Sequence, residues 1–138
     1  MVETLTIFGL CWLIVGNVLG LVLTKEQEPL TENLDGLTSH DELLEYYQMD
    51  WAYRWSKTCH AHSALFSIFC ILIGLVLRAY EVPPSIMTTT ICYLFMISVP
   101  LWTIAGFRKI KPLMGISDFM FIGGVALTAY TLYGVSFG

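Results

Sequence analysis

The chain has 138 residues, of which 56% are apolar and only 13% are charged, and its formal net charge is −4. This length fits one domain at most, and so high an apolar fraction excludes an ordinary soluble chain. The acidic balance gives no basic face for a nucleic acid, so we expect no nucleic-acid partner.

Four long apolar runs account for this composition. They cover residues 5–23, 59–79, 85–107 and 113–137. A helix needs roughly 20 apolar residues to cross a hydrocarbon core of about 30 Å, and backbone groups in lipid must be hydrogen-bonded internally. The sequence therefore predicts an all-α polytopic membrane protein with four transmembrane helices, in which residues 1–138 form a single membrane domain surrounded by lipid.

The first run contains a GxxxG pattern formed by Gly16 and Gly20, with Asn17 between them. Small residues at this spacing let two helix backbones approach closely. We expect this packing to occur within the chain rather than in a dimer, and we expect Asn17 to bond to a neighbouring helix. A signal peptide begins with basic residues, whereas this chain has Glu3 before its first apolar run. No small-x-small cleavage site follows Leu23, so we expect a retained span.

The connection over residues 24–58 is acidic and rich in aromatic residues. Its first part, residues 24–38, is polar and contains Pro29 and Gly36, which predicts an irregular loop.

The second part of this connection predicts the start of a helix. Ser39 and Glu42 fit a capping box, and neither proline nor glycine follows until Gly74. Helix 2 should therefore begin near residue 40. Its first half either extends from the membrane or lies in the interface and bends near residues 56–58. Its tyrosines and tryptophans are typical of headgroup level, which favours the interfacial arrangement.

Two histidines, His60 and His62, stand where the second span begins, although imidazoles are costly in hydrocarbon. Residues two apart on a helix differ by about 200° in direction, so these two cannot chelate one ion from a regular helix. His60 is predicted to lie on a small-residue face suited to a neighbouring helix, and His62 on a bulky apolar face. The first face contains Ala64, Ser67, Ile71 and Gly74, and the second contains Phe66, Phe69 and Ile73.

A metal or haem site is one hypothesis for these histidines. His40 could supply a third imidazole if the interfacial segment folds back, and such ligands would suit copper, zinc, iron or a haem. Hydrogen bonding at the interface is the alternative. It is favoured because no later span contains a histidine.

Asp118 is the only carboxylate inside a predicted span. It could serve as a proton-relay group or a ligand. The alternative is an early-turn residue that is stabilised by the helix dipole and touches water or a lysine, and its shallow position favours this alternative.

Basic residues predict the orientation. Six of the seven lie on one side: Lys25, Arg54, Lys57, Arg108, Lys109 and Lys111. The positive-inside rule then places connections 24–58 and 108–112 in the cytoplasm and both termini outside, in a cell or inner membrane.

The stretch from Cys59 to Arg78, CHAHSALFSIFCILIGLVLR, carries a family resemblance. It resembles small four-span membrane proteins with a His-x-His-x-x-Leu…Gly-Leu signature opening helix 2, often described as haem-copper-oxidase subunit I-like. The residues that carry the resemblance are His60, His62, Leu65, Gly74 and Leu75. The resemblance implies a redox membrane context, with copper or haem as the candidate cofactor.

Three classes of function remain open. We expect an auxiliary, non-catalytic integral-membrane subunit of a larger respiratory or metal-dependent redox complex, in contact with other membrane-protein subunits. The alternative is a small haem- or copper-binding redox protein that uses the His-x-His site. A small channel or transporter is a weaker alternative, because no internal repeat is visible.

Overall fold

The structure is a computed structural model. It describes residues 1–32, 37 and 39–137, and the side chains of all of these except residues 26–32. The described residues form four helices and no strand. The helices are α1 (Val2–Glu32), α2 (His40–Ala79), α3 (Ile86–Phe107) and α4 (Lys111–Phe137). All four are long and apolar enough to cross a membrane, which confirms the predicted architecture.

The helices form two antiparallel hairpins. Helix α1 packs along α2, and α3 packs along α4, while the contact between α2 and α3 joins the hairpins. The core lies around α3, whose Ile91, Phe95 and Val99 are fully buried together with Cys70 of α2. In the α3–α4 contact, Gly124 lies against the Phe95 ring.

Helix α1 is longer than the sequence predicts. It continues to Glu32, through the position of Pro29, so the irregular loop expected over residues 24–38 is wrong for its first nine residues. Proline removes one backbone donor and disfavours a helix interior, but an established helix propagates easily, and α1 continues across this position. Residues 33–36 and 38, where the rest of that loop was expected, lie outside the described residues.

Helix α2 is a single element of 40 residues, about 60 Å long at 1.5 Å per residue. The predicted capping box is confirmed, because Ser39 Oγ accepts from the Glu42 amide and Glu42 Oε2 accepts from the Ser39 amide. The hydroxyls of Ser56 and Thr58 donate to carbonyls one turn earlier in the same helix. The structure therefore has the extended arrangement, and the separate interfacial helix that the sequence favoured is not formed.

Helix α3 marks the two faces of the membrane. Its 22 residues span about 33 Å, close to the thickness of a hydrocarbon core of about 30 Å. Trp55 Nε1 donates to the carbonyl of Gly106 at 2.9 Å, so Trp55 lies level with the C-terminal end of α3. Residues 40–54 of α2 consequently extend past the C-terminal end of α3, and we call them the stalk.

Candidate functional site

His60 faces α1 and packs on Gly20. A Cβ atom at Gly20 would lie 2.9 Å from the imidazole Cε1 and 3.0 Å from Nε2, so a larger residue there would displace the ring. The Nδ1 atom is buried and has no hydrogen-bond partner within the described part of the chain. Gly20 therefore packs within the chain, as predicted.

The small-residue face predicted for His60 is the face that contacts α1. A Cβ at Gly9 would lie 2.8 Å from the carbonyl oxygen of Ser67 and 2.8 Å from Ile71 Cγ1. Gly74, near the other end of the same face, lies against Thr6. Glycine and serine thus let the backbones of α1 and α2 approach closely, as small residues do in membrane helices.

His62 faces away from α1, toward α3 and α4. Its ring stacks on Trp102 with centroids 5.0 Å apart and planes 19° apart, and it meets Phe66 edge-on. The Nδ1 atom lies 2.9 Å from the carbonyl oxygen of Thr58. A carbonyl only accepts, so Nδ1 is the donor in this hydrogen bond. The predicted division of the two imidazoles between opposite faces is confirmed.

The three histidines are not brought together. His40 lies twenty residues before His60 on the same continuous helix, about 30 Å away. The segment that contains His40 does not fold back toward the membrane, so His40 is not brought near His60. Among residues 1–25, 37 and 39–137, no three His, Cys, Asp or Glu side chains are grouped to hold a metal ion. The predicted set of His40, His60 and His62 therefore does not fit a copper or haem centre built by one chain.

A buried hydrogen-bond chain, which the sequence analysis missed, joins three helices at Ser63. Trp12 Nε1 donates to Ser63 Oγ at 3.0 Å, and the hydroxyls of Ser63 and Thr103 lie 2.8 Å apart. Thr103 Oγ1 is the donor to Ser63 Oγ, and it lies equally close, at 2.8 Å, to the carbonyl oxygen of Val99 in its own helix. The one proton of the threonine is therefore shared between two acceptors, and Ser63 Oγ accepts from both α1 and α3.

Asn17 and Gly16 behave differently from the expectation. Asn17 is exposed and lines a cleft between α1 and α2. The hydrogen bond expected from it to another helix is not formed with any residue whose side chain is described. Gly16 is buried, yet a Cβ there would meet nothing within 4 Å. Only Gly20 of the GxxxG pair is therefore in tight contact.

Asp118 lies on the outer surface of α4. The preceding residue, Ser117, is buried and donates to the carbonyl of Ser98 at 2.7 Å. The lysine contact that the sequence analysis suggested is not formed, and within the described residues Asp118 has neither an ion pair nor a hydrogen bond.

Asp118 and His62 lie at the same depth. Phe121 stacks on Phe66 with centroids 4.2 Å apart, and these residues follow Asp118 and His62 by three and four positions on parallel helices. Asp118 stands one turn before Phe121 on α4, and it is exposed whereas Phe121 is buried, so it lies at the edge of the contact with α2. We call the exposed side of α2 and α4 that carries His62 and Asp118 the lateral face.

Compared with known proteins, the chain matches no family model, no curated protein and no solved structure. The resemblance to haem-copper-oxidase subunit I-like proteins stays a prediction. The geometry itself shows a membrane-integral four-helix protein with two polar surface features, the cleft beside His60 and the lateral face.

Proposed function

We propose that the protein is a non-catalytic integral-membrane subunit that binds a larger membrane protein through the lateral face. The observation that carries this proposal is the exposed carboxylate of Asp118, which lies inside a membrane-length helix. Among the described residues, nothing pairs with it.

An exposed carboxylate at this depth is energetically costly. Asp118 is seven residues into α4, about 10 Å from the end of the helix at Lys111. Insertion of an Asp at the centre of a membrane helix costs about 2.5–3.5 kcal/mol, and at the shallower depth of Asp118 the cost is smaller but still unfavourable. Such residues almost always face the interior of a bundle or a water-filled cavity, whereas Asp118 is exposed. A partner helix with a hydrogen-bond donor removes this cost, and His62 provides a second polar contact at the same depth.

The exposed apolar side chains of the stalk favour a partner that has a domain outside the membrane. Tyr47 and Trp51 are 65% and 69% exposed, and Leu44 is exposed on the same face. Leu44 lies eleven residues before Trp55, about 16 Å beyond the end of α3. Headgroups extend only about 5–8 Å beyond each side of the hydrocarbon core, which reaches Trp51, four residues before Trp55, but not Tyr47 or Leu44. A protein is therefore the better cover for Tyr47 and Leu44.

The chemistry of the partner rests on the resemblance alone. A respiratory or metal-dependent redox complex remains the expectation, and the histidine geometry adds no support to a redox role for this chain by itself. A channel or transporter has no observation in its favour, because Asn17 and Asp118 both lie on the outer surface.

Purification in native nanodiscs tests the proposal. We expect the wild-type chain to be recovered with a larger membrane protein in fixed stoichiometry. Asp118→Asn should lower the recovered partner about tenfold or more, which corresponds to about 1.4 kcal/mol. Glu3→Gln is the matched control, since Glu3 is an exposed carboxylate in the first turn of α1. A wild-type protein that is recovered only as a monomer, or only with copies of itself, would contradict the proposal.

A further inference from the structure

A cleft opens between α1 and α2 beside the contact of His60 with Gly20. Its volume is about 510 Å³. Its polar lining comes from Asn17 and Thr24 of α1 and from Tyr53, Lys57 and His60 of α2, and Leu21 contributes to the apolar lining. The cleft therefore combines one cation and several hydrogen-bonding groups with an aliphatic wall.

The cleft lies at headgroup level. Lys57 follows by two residues the Trp55 whose indole bonds to Gly106 at the end of α3. Leu21 is 68% exposed, and Val18, one turn earlier on α1, is exposed as well. The cleft thus adjoins an apolar helix surface that runs into the hydrocarbon core.

The charged and polar groups of the cleft favour an anion. Lys57 is exposed and has no ion pair among the described residues, and Asn17 has no hydrogen bond there either. The proton of the Thr24 hydroxyl is taken by the Gly20 carbonyl at 3.0 Å, so Thr24 provides only an acceptor. Among the described residues that line the cleft, Lys57 supplies a positive charge and there is no carboxylate.

We propose that this cleft binds the phosphate-bearing headgroup of one anionic phospholipid. Lys57 pairs with the phosphate, the Asn17 amide donates a hydrogen bond, and the acyl chains lie along Val18 and Leu21. Basic pockets between membrane helices are known to hold anionic headgroups in this way. The proposal is independent of the partner that the lateral face binds.

Two glycines of α1 provide a matched pair of variants. A methyl group at Gly20 would collide with the His60 ring, so Gly20→Ala displaces the imidazole that lines the cleft while leaving Lys57 in place. A methyl group at Gly16, one turn earlier on the same helix, would meet nothing within 4 Å. Gly16→Ala therefore makes the same chemical change without altering the cleft.

Native mass spectrometry tests the proposal on protein that has been delipidated and then incubated with one defined lipid. The anionic probe is dioleoylphosphatidylglycerol, and the zwitterionic probe is dioleoylphosphatidylcholine. We expect one phosphatidylglycerol to be retained per chain and phosphatidylcholine to be retained at least about tenfold less. Lys57→Gln and Gly20→Ala should each reduce phosphatidylglycerol retention about fivefold or more. Two control variants should retain phosphatidylglycerol as the wild type does. They are Gly16→Ala and Lys111→Gln, the second of which removes an interfacial cation on α4.

Three results would overturn the proposal. Equal retention of the two lipids would show that the cleft does not select charge. An equal loss from Lys57→Gln and Lys111→Gln would show diffuse attraction to a basic surface instead of a site. Displacement of the lipid by an equimolar amount of soluble glycerol 3-phosphate would show that the ligand is a free phosphate and that the acyl chains add nothing.

Discussion

At the scale of single residues, Ser63 is the side chain that connects three of the four helices by hydrogen bonds. One hydroxyl connects Trp12 of α1 to Thr103 of α3. In the sequence, Ser63 closes the polar stretch that begins at Thr58, where the second apolar run starts. Its partners are 51 and 40 residues away in the chain, so no local pattern contains them.

Removal of the Ser63 hydroxyl should destabilise the bundle. Ser63→Ala leaves the Trp12 indole N–H without its acceptor in a water-free core, and hydrogen bonds between membrane helices contribute about 0.6–2 kcal/mol. We expect the free energy of unfolding in mixed micelles to fall by about 1 kcal/mol or more. The control is Ser56→Ala, since that hydroxyl bonds only to its own helix. Equal effects from the two variants would show that the connection between helices contributes nothing.

The histidines show which residue-scale inferences sequence reasoning can make. Helical periodicity alone predicted that His60 and His62 face opposite ways, and the structure confirms it. Periodicity could not show that His60 packs on Gly20 or that His62 stacks on Trp102, since both contacts depend on how separate helices are arranged. The role of either imidazole as a ligand stays a prediction.

At the scale of elements, the four helices could be predicted from apolar length, but the extents of α1 and α2 could not. Aromatic residues indicate headgroup level without indicating whether a helix lies along the membrane or leaves it. The continuous α2 follows from a strong capping box and from the lack of glycine or proline before Gly74, because an established helix propagates easily. The same ease of propagation accounts for α1, which continues through Pro29 to Glu32.

Close packing of α1 on α2 should make Gly9 intolerant of a side chain. A methyl group there would lie 2.8 Å from a backbone carbonyl oxygen, which cannot move aside cheaply. We expect Gly9→Ala to lower the free energy of unfolding by about 1–3 kcal/mol. Gly123→Ala, where the added methyl meets nothing within 4 Å, should leave it unchanged or raise it by up to about 1 kcal/mol, because alanine favours a helix more than glycine does. Both free energies are measured by reversible unfolding in mixed micelles. A Gly9→Ala protein as stable as Gly123→Ala would contradict the close packing of α1 on α2.

At the scale of the whole molecule, the four antiparallel helices give the protein two dissimilar ends. The stalk and the α3–α4 turn lie at one end. The N-terminus of α1 and the C-terminus of α4 lie at the other end, together with the α2–α3 turn. The stalk end holds six of the seven basic residues, so the orientation predicted from the sequence remains our expectation.

Cysteine labelling in intact cells tests this orientation. We expect a membrane-impermeant maleimide to label Ile86→Cys, at the start of α3, in intact cells. Arg108→Cys, at the other end of α3, should be labelled only after the membrane is permeabilised. The wild-type chain serves as the blank, because its own four cysteines lie within the membrane-length helices. The reverse labelling pattern would place the stalk outside the cell.

The central claim is that the lateral face binds a larger membrane protein, and site-specific photocrosslinking in native membranes tests it most directly. A photoreactive residue at position 119, beside Asp118, should give one discrete adduct with a heavier protein, and Asp118→Asn should abolish that adduct. The same residue at position 14, exposed on α1 away from α4, should react only with lipid. Lipid adducts alone at both positions, or an adduct with twice the mass of this chain, would contradict the claim.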